Sequence, residues 1–193
     1  MKKRYLFALT LGFLITVTMN AQETTWSIDK DHSKVQFKAT YMGITEVTGQ
    51  FTEYIATVVP EGENFENADI EVTIQASSID TDNDRRDEHL RSEDFIYAEE
   101  YPEIKFKSTS FTNTGGDNYK LTGDLTIRGI TRSEEFDVVY NGMIEQEDMS
   151  RAAFRLTGSI DRYDYDVDWN RSFTKGLVVS KEIEIVCDVL LVK

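Results

Sequence analysis

His32 and His89 are the two histidines of a 193-residue chain, so any hydrolytic or acyl-transfer chemistry that needs an imidazole base must use one of them. His32 lies in Asp29-Lys30-Asp31-His32-Ser33. Residues adjacent in an extended strand point to opposite faces, which places Ser33 badly as a nucleophile for His32. A structural histidine at the start of a strand is the expectation there. His89 lies in no recognisable nucleophile motif, so no catalytic residue is assigned.

Carboxylates offer a second chemistry. Asp80-Thr81-Asp82-Asn83-Asp84 resembles the start of a calcium loop, but Arg85 and Arg91 stand where such a loop needs its glycine and its closing glutamate. Asp161, Asp164, Asp166 and Asp168 form another acidic cluster, read as a solvated loop. No metal site is assigned. Phosphate loops and dinucleotide fingerprints are absent, and no cofactor is implied. Arg85, Arg86 and Arg91 could meet an anionic head group, although Asp84, Asp87 and Glu88 beside them make surface ion pairing the expectation. Cys187 is the one cysteine, so the chain has neither an internal disulfide nor a thiolate pair for zinc or iron–sulfur binding. With 21 Lys+Arg against 35 Asp+Glu, a net charge of −14 argues against a nucleic-acid partner, which would demand a basic patch.

Residues 1–22 read as a signal peptide. Lys2, Lys3 and Arg4 precede an apolar run from Tyr5 to Val17, and Ala21 offers a small residue for cleavage. The run is shorter than the roughly 20 residues a bilayer span requires, so no permanent membrane anchor is expected. The folded domain is expected over 23–193, periplasmic or secreted.

The elements beyond Glu23 have an apolar period of two, the pattern of strands with one buried face. At 119–128, Tyr119, Leu121, Gly123, Leu125 and Ile127 alternate with Lys120, Thr122, Asp124, Thr126 and Arg128. The same alternation recurs at 34–39, 69–76, 103–107, 135–140, 151–161 and 182–192. With 49–59 this gives about eight strands. Turn signals at 60–64, 113–118, Arg128-Gly129 and Asn141-Gly142 favour an antiparallel meander. Such a sheet must close into a barrel or pack on a second sheet, and the pattern admits both. Segment 49–59 has apolar residues on both faces, which a bulge or a covering element would explain. The long connection 77–102 should hold a short helix capped by Asp84, and it either covers a barrel mouth or crosses between sheets.

The inward set comprises Phe37, Phe51, Val72, Ile74, Phe106, Leu125, Ile127, Phe136, Val138, Phe154 and Leu156, interrupted by Gly123, Gly158 and Ala76. These residues form either a packed core or the lining of a ligand cavity.

Ordered motifs run through the chain: Trp26-Ser27-Ile28-Asp29, Gly49-Gln50-Phe51, Ser77-Ser78-Ile79-Asp80-Thr81, Arg86-Asp87-Glu88-His89-Leu90-Arg91, Tyr101-Pro102-Glu103-Ile104-Lys105-Phe106 and Leu125-Thr126-Ile127-Arg128-Gly129-Ile130-Thr131. On these the chain resembles the YceI-like family, exported bacterial proteins regarded as polyisoprenoid-binding and lipocalin-like. The resemblance implies an all-β, eight-stranded antiparallel barrel with a short helical cap. It also implies that the eleven inward residues hold an isoprenoid or other long-chain lipid for transport, storage or sequestration, without turnover. Two departures stand out. A histidine that many relatives carry is absent from Ala39-Thr40-Tyr41-Met42, and Arg162-Tyr163-Asp164-Tyr165-Asp166 lacks the glycine of the usual segment.

Two other functions fit the residues. An enzyme acting on a small apolar substrate inside the barrel would use His32, His89, Tyr41 or Arg128, with at least one histidine pointing inward. An acidic interaction protein would bind a basic partner. A homodimer is conceivable through an edge strand near Trp26 to Asp29.

Overall fold

The structure is a computed structural model that describes residues 25–61, 65–173 and 176–193; the expected signal peptide lies outside the described residues, as does part of the turn expected at 60–64. The strands are β1 (Trp26–Ile28), β2 (Lys34–Tyr41), β3 (Thr45–Phe51), β4 (Tyr54–Val59), β5 (Asp69–Gln75), β6 (Ile79–Asp80), β7 (Glu103–Gly115), β8 (Asn118–Ile127), β9 (Ile130–Gln146), β10 (Met149–Asp161), β11 (Ser172–Phe173), β12 (Gly176–Leu177) and β13 (Val179–Val192). One helix, α1 (Asp84–Arg91), interrupts them.

Three pairs of these segments are halves of single long strands. A 3-10 turn at Lys30–His32 separates β1 from β2, Thr52 and Glu53 separate β3 from β4, and a 3-10 turn at Ala76–Ser78 separates β5 from β6. Counted so, eight antiparallel strands follow one another around the ring, and β13 closes it by pairing with β10 on one side and with β1 and β2 on the other. Closure buries the apolar face without leaving a long free edge. The edge conjectured near Trp26 to Asp29 therefore does not exist: Ser27 pairs with Val192 on one side and Thr57 on the other.

The three breaks sit side by side and are bonded together. Thr52 N–H donates to Ser78 O at 3.1 Å, Gln75 N–H to Glu53 O at 2.9 Å, and the Tyr54 hydroxyl to Ser33 O at 2.8 Å. Each break changes which parity of residue faces inward. Phe51 faces the interior below the break at 52–53, and Tyr54, Ala56 and Val58 face it above. Segment 49–59 is thus two strands joined by a break, with no covering element, and Ile55 on its outer face is 60% exposed.

Elsewhere the alternation holds. Leu121, Gly123 and Leu125 are buried on β8 while Asp124 between them is exposed. Arg128 and Gly129, with φ of 50° and 73°, form the two-residue turn between β8 and β9 that a right-twisted hairpin prefers. Asn141-Gly142 is not a turn. It lies within β9, where Gly142 has φ 120° and the register with β10 shifts near Ala153, so the glycine marks a bulge.

The barrel ends differ. At the end where β13 finishes, Trp26, Phe65, Phe111, Tyr140 and Phe154 pack ring against ring, with Phe65–Phe154 centroids 4.9 Å apart. At the other end the connection 81–102 with α1, and the segment 162–171 after β10, lie across the opening.

Candidate functional site

The interior between these ends is a cavity of about 310 Å³. All eleven residues singled out from the period-two pattern line it: Phe37, Phe51, Val72, Ile74, Phe106, Leu125, Ile127, Phe136, Val138, Phe154 and Leu156. They come from seven of the eight long strands, so the barrel brings together side chains as far apart in sequence as Phe37 and Leu156. Further residues complete the lining. Leu90, Phe95 and Ile96 reach in from the cap, Tyr165 and Val167 from the segment after β10, and the odd-numbered residues Ile183 to Leu191 from β13. The β13 residues were legible as an alternating face. The cap residues sit among charges and carry no periodic signal.

Among the described residues Arg162 is the one charged residue of the lining. It is 5% exposed and donates to backbone carbonyls: to Ser180 O at 2.8 Å, to Trp169 O at 3.1 Å and to Val167 O. Burial pulls its pKa below the ordinary arginine value, but the carbonyl dipoles take the place of water around the cation. It therefore acts as a pin that folds 163–171 over the barrel mouth. Its guanidinium carbon also lies 4.8 Å from the Tyr163 ring centroid.

The other arginines of the motifs do similar work, and the expected surface ion pairs are not what holds Arg86 and Arg91. Arg86 donates to Thr81 Oγ1 and Thr81 O, both at 2.6 Å. Arg91 donates to Ser77 O at 2.7 Å and Ile79 O at 2.8 Å. Arg128 donates to Glu93 O at 3.0 Å and Phe95 O at 2.6 Å. Asn83, rather than Asp84, caps α1, its side chain accepting the Arg86 N–H at 3.0 Å.

None of the four residues expected to serve an enzyme, His32, His89, Tyr41 and Arg128, lines the cavity. His32 is exposed, with Nδ1 3.0 Å from Asp29 Oδ2. Ser33 points away from it, accepting the Leu190 N–H at 2.9 Å. His89 lies outside the lining, 2.9 Å from Asp94 Oδ2 and edge-on between the Phe95 and Trp169 rings at 5.0 and 4.9 Å. Tyr41 is 42% exposed at a hairpin end, and Arg128 is spent on the cap. Among the described residues no three His, Cys, Asp or Glu side chains converge as a cation site would need. Asp161 instead accepts the Tyr163 N–H.

Beside Arg162 and Gln36, three polar side chains line the cavity, and these three are hydrogen-bonded or inert. The Tyr54 hydroxyl donates to Ser33 O, and the Tyr165 hydroxyl to Glu134 Oε1 at 2.6 Å. The Cys187 thiol has its pKa pushed up to about 12 by burial, so it is protonated and unreactive at neutral pH.

A UPF0312 protein of Staphylococcus aureus (strain bovine RF122 / ET3-1) is 33% identical over 164 residues, covering 83% of this chain and 93% of that one. The Campylobacter jejuni YceI protein superposes with a TM-score of 0.71 at 28% identity, over 80% of this chain and 89% of that one. Burkholderia cenocepacia BcnA shares the fold, with a TM-score of 0.73 at 22% identity, over 84% and 98% of the two chains. So does a polyisoprenoid binding domain from Saccharophagus degradans, with a TM-score of 0.65 at 14% identity, over 86% and 97%. The model of the YceI-like domain matches residues 26–191, which is nearly all of the described barrel, and the chain belongs to that family.

Proposed function

We propose that this protein binds a long apolar chain, an isoprenoid or another lipid, inside the barrel, and carries, stores or sequesters it without chemical change. The observation that carries the reading is the continuous apolar lining of a 310 Å³ cavity closed by a cap. Cavities of roughly 300 to 1,000 Å³ are the size of small-molecule sites. Each methylene moved from water into such a lining gains about 0.8 kcal/mol, so a long chain binds well with few polar contacts. The polyisoprenoid-binding description of the Saccharophagus degradans neighbour supports a ligand of this class.

The charged and apolar start of the chain, residues 1–22, supports export to the periplasm or beyond. No described helix is long and apolar enough to cross a membrane. A lipid partner is the one partner the cavity supports. Titrating delipidated protein with a fluorescent polyene fatty acid tests the reading. One saturable site, competed by an isoprenoid alcohol, is expected; probe fluorescence that rises linearly without saturation would contradict it.

A further inference from the structure

Three glycines face the interior from strands that otherwise carry large apolar residues there: Gly49 on β3, Gly123 on β8 and Gly158 on β10. None has a positive φ, so no backbone conformation calls for glycine at these positions. Each is instead covered by a phenylalanine ring from the neighbouring strand. Phe37 of β2 lies over Gly49, Phe106 of β7 over Gly123, and Phe136 of β9 over Gly158. A methyl group built on Gly158 would stand 2.6 Å from Phe136 Cδ1, and on the other two still closer to a ring. No side chain fits under any of the three rings as they lie.

The three pairs occupy three separate strand joints, β2–β3, β7–β8 and β9–β10, in the half of the barrel nearer the cap. The rings line the cavity and the glycines do not. Each glycine is thus a recess in the wall that a ring edge occupies. A bulkier residue in the recess would push the ring toward the cavity that it lines.

We propose that these phenylalanine–glycine pairs form a collar that sets the bore of the cavity, and with it the cross-section of the chain admitted, so that a methyl-branched chain passes where a narrower collar would accept only an unbranched one. This rests on the lipid-binding reading above. The collar concerns which chains enter, not whether the lining is apolar.

Gly158 is the position to change, since the two atoms nearest an added methyl both belong to Phe136 and the next, the Glu135 carbonyl oxygen, stands at an ordinary 3.5 Å; at Gly123 the Lys107 carbonyl would also be struck. The Gly158→Ala protein is compared with the unaltered one for binding of geranylgeraniol and of an unbranched C16 alcohol, with circular dichroism and thermal melting reporting the fold. A loss of about tenfold or more for the branched alcohol is expected, as for one methyl too many in an apolar pocket. The loss for the unbranched alcohol should stay under threefold, and Phe136→Leu added to Gly158→Ala should restore the branched ligand. Equal losses for the two alcohols, or no loss for either, in a folded Gly158→Ala protein would overturn the collar. If the unaltered protein bound neither alcohol, the lipid reading would fall, and a crystal structure of Gly158→Ala would still judge the collar itself. A Phe136 ring turned into the lumen supports it, and a ring unmoved against the wall overturns it.

Discussion

Asp87, on a helix made almost wholly of charged residues, turns its carboxylate inward and accepts both the backbone N–H of Thr81, at 3.0 Å, and the Thr81 hydroxyl. It is 4% exposed. The helix is thereby tied to the end of the strand that precedes it, and Arg86 closes the tie from the other side through Thr81 O. Leu90 at the far end of the helix and Phe95 beyond it are held over the cavity as a result.

Asp87→Ala removes the one oxygen, Oδ1, that accepts both bonds and leaves the Thr81 amide buried without a partner. A cost of about 2 to 3 kcal/mol is expected from the lost charge-assisted bonds and the orphaned donor. Urea unfolding measures it, and hydrogen exchange should quicken over 84–98 before it does in β8. Asp87→Asn, which keeps a carbonyl oxygen to accept, should lose less.

Arg162→Met removes the cation that gathers the carbonyls of Val167, Trp169 and Ser180. Those carbonyls lose their partners at once, so a destabilisation on the order of 3 kcal/mol is expected. For a domain of this size that is a fall in Tm of roughly 6 to 12 °C. Arg162→Lys should recover little of it, because one ammonium cannot span three carbonyls that a planar guanidinium reaches together. Differential scanning calorimetry of the three proteins decides this.

Cys187 gives a pH signature. Its thiol has a folded-state pKa raised from 9 to about 12, so the folded form holds its proton after the unfolded form has released it. Its contribution to stability is complete below pH 9 and is lost as pH rises from 9 toward 12. Stability should therefore fall across that window, and less steeply in Cys187→Ala. Labelling of the native thiol by a water-soluble disulfide reagent should stay slow at pH 8 and become immediate in denaturant. Rapid native labelling would place the thiol in bulk solvent.

Ala56→Trp fills the lumen from β4, where Ala56 is buried and lines the cavity. Binding of a fluorescent acyl probe should drop by more than tenfold while the far-ultraviolet circular dichroism is kept. An enzyme or an interaction protein that works through its outer face would be indifferent to this change.

Most of the barrel wall was legible because one physical rule governs it: a strand wet on one side and dry on the other alternates. Leu121, Leu125, Phe136, Val138, Phe154 and Leu156 obey that rule, and all line the cavity. The rule fails where the chain changes parity, at 30–32, 52–53 and 76–78, since a break of one residue inverts the faces that follow. It also fails in the cap. Phe95 and Leu90 stand among arginines and acids, and those charges serve buried backbone groups, so a pattern of exposed polar residues suggested solvent where the molecule has carbonyls. The resemblance through Leu125-Thr126-Ile127-Arg128-Gly129 chose the barrel over the sandwich, and the pairing of β13 with both β10 and β2 bears that out. What the small inward residues do was not legible at all. Gly158 reads as a gap in the wall until the ring of Phe136 is seen lying in it.

The most direct test of the whole account is the cargo itself. The protein, incubated with a total bacterial lipid extract and repurified, is extracted with organic solvent and the extract analysed by mass spectrometry, with Ala56→Trp treated in parallel. The account predicts a long-chain isoprenoid or acyl lipid at close to one molecule per protein from the unaltered chain, and little from Ala56→Trp. An extract from the unaltered chain with no lipid above the blank, or equal lipid from both proteins, would contradict it.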